Sequence, residues 1–112
     1  MTNDDTRRNI RAGAVELLDL YSSRAELLQL ATHAPVVELF EMWDDIRLDR
    51  PEALGDIFAA SEVDALRQFN AVSKRTWSAV RARSERIEDF VASAEWIEFA
   101  AAARVTRARL VD

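Results

Sequence analysis

Ser61-Glu62-Val63-Asp64-Ala65-Leu66-Arg67-Gln68-Phe69-Asn70-Ala71-Val72-Ser73-Lys74-Arg75-Thr76-Trp77-Ser78-Ala79-Val80 decides the fold class. It contains no Gly or Pro, and Val63, Leu66, Phe69, Val72, Trp77 and Val80 recur near helical spacing on one broad face. Ser61 with Asp64 reads as its opening cap. No run in the chain alternates with the two-residue period of a strand. A long amphipathic helix with no strand elsewhere predicts an all-α chain: one domain, a bundle of four to five helices in antiparallel packing.

Working outward, Gly13, Gly55, Pro35 and Pro51 are the chain's only glycines and prolines. Toward the N-terminus, a first helix opens near Thr2, with Asp5 three residues on and Asp4 and Asp5 at the positive end of the dipole. Its apolar face is Ile10, Ala14, Leu17, Leu18 and Tyr21. Ser23-Arg24-Ala25-Glu26 is a second capping box, but Leu28 and Ala31 keep the stripe in phase, so continuation to about Ala31 is preferred. Thr32 to Pro35 breaks it. A second helix spans Pro35 to Leu48 and buries Val36, Leu39, Phe40 and Trp43. After Asp49-Arg50-Pro51, a short helix runs from Pro51 to Phe58.

Toward the C-terminus the apolar signal stops between Arg81 and Arg86, through either a Ser84 cap or a solvated stretch of continuous helix. The last helix carries Phe90, Ala94, Ile97, Ala101, Val105 and Ala108 at near-heptad steps. Ala100 to Ala103 lack bulk and admit a close neighbour.

The 112 residues (12.7 kDa) are 49% hydrophobic and 31% charged, with net charge −5 and a pI near 4.9. An acidic chain of this size is expected to be one domain and to avoid nucleic acid, whose binding rests on phosphate neutralisation. Cysteine is absent, which removes disulfides, thiolate chemistry and cysteine metal sites. No apolar run reaches the roughly 18–20 residues a membrane helix needs. The polar Met1-Thr2-Asn3-Asp4-Asp5 start does not resemble a secretory signal. A cytoplasmic setting is expected, and the preference for Arg over Lys suits a GC-rich bacterial coding sequence.

The charges are segregated. Ala34 to Asp64 holds nine carboxylates against Arg47 and Arg50, whereas Ala65 to Arg83 holds Arg67, Lys74, Arg75, Arg81 and Arg83 with no carboxylate. Glu38, Glu41 and Asp45 fall at three- and four-residue steps with Asp44 beside them, an acidic face that suits a basic partner. Trp43 could anchor that surface if uncovered, and Trp96, beside the last stripe but not on it, is a further interface candidate, since tryptophan is enriched at interface hot spots. Lys74, Arg75, Arg81 and Arg83 form a candidate basic patch. Residues 54–83 loosely follow a helix-turn-helix, but Glu62 and Asp64 occupy the turn that would meet phosphate.

His33 lacks a neighbouring nucleophile or orienting carboxylate, and no Glu-x-x-His, Gly-rich phosphate loop or nucleophile elbow is present. The expectation is therefore a non-catalytic interaction protein, an adaptor, inhibitor or accessory subunit, with no cofactor and no metal. Its partner is another protein, and self-association is expected through the Ala-rich last helix. The alternative is a DNA-binding regulator using residues 54–83. A bundle holding an apolar ligand is a third reading.

Overall fold

A computed structural model describes residues 3–83 and 86–110. Thr2, expected as a cap, and Ser84, a cap in one of the two readings of the Arg81–Arg86 stretch, lie outside the described residues, as does the side chain of Asp4. Six α-helices are described: α1 (Asn3–Tyr21), α2 (Arg24–Leu30), α3 (Val36–Asp45), α4 (Ala60–Arg81), α5 (Ile87–Val91) and α6 (Ala94–Arg109), with a 3₁₀ turn at Pro51–Leu54. No strand occurs among the described residues. The all-α bundle stands, and it has more helices than expected because two serines divide what periodicity joins.

The first is Ser23. The Glu26 N–H donates to Ser23 Oγ at 3.3 Å, and Ser23 is extended at φ −110°, ψ 105°. Ser22 bonds back to the Leu18 and Asp19 carbonyls, both at 3.1 Å, the local competition by which serine weakens a helix. The expected continuation to Ala31 is thus overturned. The new helix turns so that Leu27 is buried and Leu28 faces outward, and α2 packs on α5. At Ser93 the same device separates α5 from α6, with the Trp96 N–H donating to Ser93 Oγ at 3.4 Å.

Helix α3 ends earlier than Leu48. The Arg47 N–H donates to the Asp44 carbonyl at 2.9 Å and the Leu48 N–H to the Trp43 carbonyl at 3.3 Å. This is a Schellman cap, and it places Arg47 at φ 63°. Leu48 then drops into the core, fully buried. The helix expected over Pro51 to Phe58 is only the 3₁₀ turn. Helix α4 is capped by Glu62, not by Ser61, because Glu62 Oε1 accepts the Ala59 N–H at 2.9 Å.

The centre is an aromatic cluster of Tyr21, Phe40, Trp43, Phe69, Phe90 and Phe99, with ring centroids 4.8–6.1 Å apart, the separations favoured for tilted and offset pairs. Helix α6 packs on α4 and α1. Its contacts with α4 and the turn that follows it run Gln68–Arg109, Arg75–Glu98 and Arg83–Glu95, rising along one element and falling along the other, so α4 and α6 are antiparallel. The expected buried stripe of α6 is inverted. Phe99, Ala100, Ala103 and Thr106 face inward, while Ala94, Ile97, Ala101, Val105 and Ala108 are exposed. Phe99 decides this, since its ring touches Tyr21, Phe40, Phe69 and Phe90 and no residue of the outer stripe offers comparable area.

Candidate docking site

The inward residues of α3 are Val36, Leu39, Phe40 and Trp43, all buried. One helical flank away stand Val37, Glu41 and Asp44. Helix α4 passes this flank with Asn70, Ser73, Lys74 and Trp77, and the two helices leave an open cleft of about 400 Å³ between them, completed by Asp49. Its floor is apolar and aromatic: Phe40 and the half-buried Trp77 lie with ring centroids 5.0 Å apart. Its rim is acidic, with Glu41, Asp44 and Asp49 against Lys74, the single cation among the described lining residues.

A polar strut holds the cleft's inner wall. Trp43 Nε1–H donates to Asn70 Oδ1 at 2.7 Å, and Asn70 Nδ2 donates to the Leu48 carbonyl at 2.9 Å. One amide thus ties α3 and its C-terminal cap to α4 and satisfies a buried indole. Below it, the hydroxyl of buried Tyr21 donates to the Leu39 carbonyl. Burial pushes the Asp44 carboxyl above its ordinary value, and the nearby charges of Asp49 and Asp45 add to this, while Lys74 opposes it. With three carboxylates against one lysine, the rim carries a net negative charge.

The acidic residues expected on one face are divided. Glu41 and Asp44 line the cleft, whereas Glu38 and Asp45 are not among its lining residues. Trp43 is 2% exposed and hydrogen-bonded inward, so it is a core residue and not an exposed anchor. Trp96 is half-buried, packs against the core and donates its indole N–H to the Tyr21 carbonyl at 3.1 Å. Asp49 and Trp77 went unassigned to the site because they lie on different elements from the acidic helix; the Phe40 and Trp77 stripes are the signal that could have paired those helices.

The basic segment does not form one surface. Arg75 pairs with Glu98 at 2.6 Å and Arg83 with Glu95 at 2.5 Å, both across to α6. Arg81 is exposed, and Lys74 turns the other way into the cleft. Glu62, expected at the nucleic-acid-facing end of α4, points inward and holds Arg11 by two bonds of 3.0 and 2.6 Å. His33 is exposed in the turn before α3. Among the described residues, no group of three or more metal-ligating side chains is placed to hold an ion, and no helix is long and apolar enough to cross a membrane.

No protein-family model, curated protein or solved structure matches the chain.

Proposed function

We propose that the chain is a non-catalytic docking protein that receives a basic amphipathic helix of another protein in the α3–α4 cleft, acting as an adaptor or inhibitor. The observation that carries this reading is the pairing of an aromatic floor with a rim of three carboxylates and one lysine. A groove between two helices accepts the apolar face of a third. Lysine or arginine on that helix would then meet Glu41, Asp44 and Asp49, with the aromatic rings also able to receive a cation. Charge at the rim governs the encounter rate and partner choice, while the apolar floor supplies affinity.

The helix-turn-helix alternative draws less support. Arg75 and Arg83 are engaged by Glu98 and Glu95, and Glu62 is turned to Arg11, so little positive surface is left for phosphate.

The test is a fluorescence titration with a designed helix bearing Lys along one face and Leu along the other. Saturable binding that weakens with salt, and falls at least tenfold in Glu41→Lys/Asp44→Lys, is the expected result. Equal binding of that peptide by the variant, or tighter binding of an acidic peptide of the same Leu face, would discard the reading.

A further inference from the structure

The α3–α4 cleft has two unlike ends. Phe40 of α3 meets Trp77 of α4 with ring centroids 5.0 Å apart, and one turn further along α3 the Trp43 indole reaches Asn70 at 2.7 Å. Residue numbers rise along α3 as they fall along α4, so the two walls run in opposite senses. Val37, Phe40 and Trp77 make one end, which is apolar. Asp44, Asp49 and Asn70 make the other, and Glu41 and Lys74 stand between the two.

Charge is graded in the same sense. Lys74 offsets Glu41 at the middle, so the net negative charge sits with Asp44 and Asp49. That end is also the C-terminus of α3, whose dipole adds to it. The side chains of Glu41, Asp44 and Lys74 have no hydrogen-bond or ion-pair partner among the described residues, and Asp49 has only Arg50, at 4.0 Å. Elsewhere arginines close on carboxylates, as Arg7 does on Asp56, Arg75 on Glu98 and Arg107 on Asp19. The cleft also stays open at its charged end. Past Asp49 and Asn70 a hollow of about 270 Å³ continues between Pro51 and α4.

Granted that the cleft receives a basic amphipathic helix, as proposed above, we infer that it accepts that helix in one direction. The N-terminal turn lies against Asp44 and Asp49, the later turns lie on Val37, Phe40 and Trp77, and the docked helix runs antiparallel to α3. A helix N-terminus presents unsatisfied N–H groups and the positive end of its dipole. Both meet opposite charge only at the Asp44–Asp49 end, and the hollow beyond Asp49 leaves room for the chain that leads into the helix.

The partner that fits is a segment with Lys or Arg in its first turn and aliphatic residues one to two turns on. Such a segment is a poor helix in isolation, because cations at its N-terminus oppose its own dipole. Asp44 and Asp49 supply the missing anions, so the segment orders as it docks.

A pair of labelled peptides tests the direction by fluorescence anisotropy. One carries Lys in its opening turn and Leu in its later turns; the other is the same sequence reversed, and both are acetylated and amidated to remove the end charges. The Lys-first peptide should bind at least about tenfold tighter. The reversed peptide is the better helix when free, so helicity cannot produce that order. Asp44→Asn/Asp49→Asn should erase the difference. A nitroxide at the N-terminus of the Lys-first peptide should broaden the amide signals of Asp44 and Asp49 more than that of Val37. Saturable binding of both peptides with equal affinity would overturn the direction and leave the docking site standing. Tighter binding of the reversed peptide, or broadening greatest at Val37, would overturn the direction as well. Binding of neither would remove both the direction and the site.

Discussion

Replacing Glu62 by Ala removes the buried ion pair that ties α1 to the start of α4. The Glu62 side chain is 4% exposed and holds the 26% exposed Arg11 in a two-bond ion pair, while also accepting the Ala59 N–H. Arg11 in turn donates to the Ile57 carbonyl at 3.4 Å and lies over the Phe58 ring, 5.5 Å from its centroid. Breaking a buried pair from one side costs about 3–5 kcal/mol. The partial exposure of Arg11 favours about 3 kcal/mol, because water can reach the abandoned guanidinium, and the lost cap adds about 1 kcal/mol. With about 2.1 cal/mol/K of unfolding entropy per residue, 112 residues give about 0.24 kcal/mol/K, so a 4 kcal/mol loss lowers Tm by about 17 °C. Urea unfolding followed by tryptophan fluorescence reads the same quantity as a midpoint shift at constant slope. Glu62→Gln, which keeps one acceptor oxygen, should lose about half as much. If Glu62→Ala and Arg11→Met each lost less than about 1 kcal/mol, the pair would not be what fixes α1 against the start of α4.

Arg47 sits in the left-handed region at φ 63°, which costs a side-chain-bearing residue about 1–2 kcal/mol. After the unfolded-state entropy of glycine is set against that, Arg47→Gly should raise stability by about 0.5–1 kcal/mol; a lower Tm in differential scanning calorimetry would contradict the cap geometry. Burial holds the phenol of Tyr21 well above its ordinary pKa of 10.0, with the Asp44 charge as a smaller cause. A raised folded value means the contribution is complete below pH 10 and is lost as pH climbs above it. Tyr21→Phe should therefore cost about 1 kcal/mol at neutral pH through the lost bond to Leu39, yet fall off less steeply in alkali than the parent. Because Tyr21 is the sole tyrosine, tyrosinate absorbance should appear only together with unfolding, and titration of the folded protein near pH 10 would refute this. Asp44 is likewise raised, so its stabilising effect is present below the ordinary carboxylate range and is lost as pH rises through its folded value. Asp44→Asn should increase Tm at pH 7 while weakening binding of a basic helix. A variant that loses stability, or that binds as well as the parent, would deny Asp44 a part in recognition.

The helices could be read from sequence because apolar spacing and Ser-x-x-Glu signals act locally. Ser23 and Glu26 announced their boundary; the in-phase Leu28 and Ala31 masked it, and only the packing of α2 on α5 with Leu27 inward settled the choice. Helix α6 misled for a related reason. Alanines on every side leave its two stripes nearly equal in pattern, and the decision rests on where the Phe99 ring finds aromatic neighbours, a matter of tertiary contact. The acidic helix was visible as a source of surface charge, but Glu41 and Asp44 were separable from Glu38 and Asp45 only once α4 lay beside one flank. Trp43 and Trp77 look alike in composition. Asn70 turns the first into a strut of the core, and the gap between α3 and α4 leaves the second half-uncovered.

Residue-resolved amide shifts during titration with the Lys/Leu amphipathic helix test the docking account most directly. It predicts that the largest changes fall on Val37, Phe40, Glu41, Asp44, Lys74 and Trp77, along both walls of the cleft. Changes centred instead on the outer stripe of α6, or no saturable change at all, would contradict it.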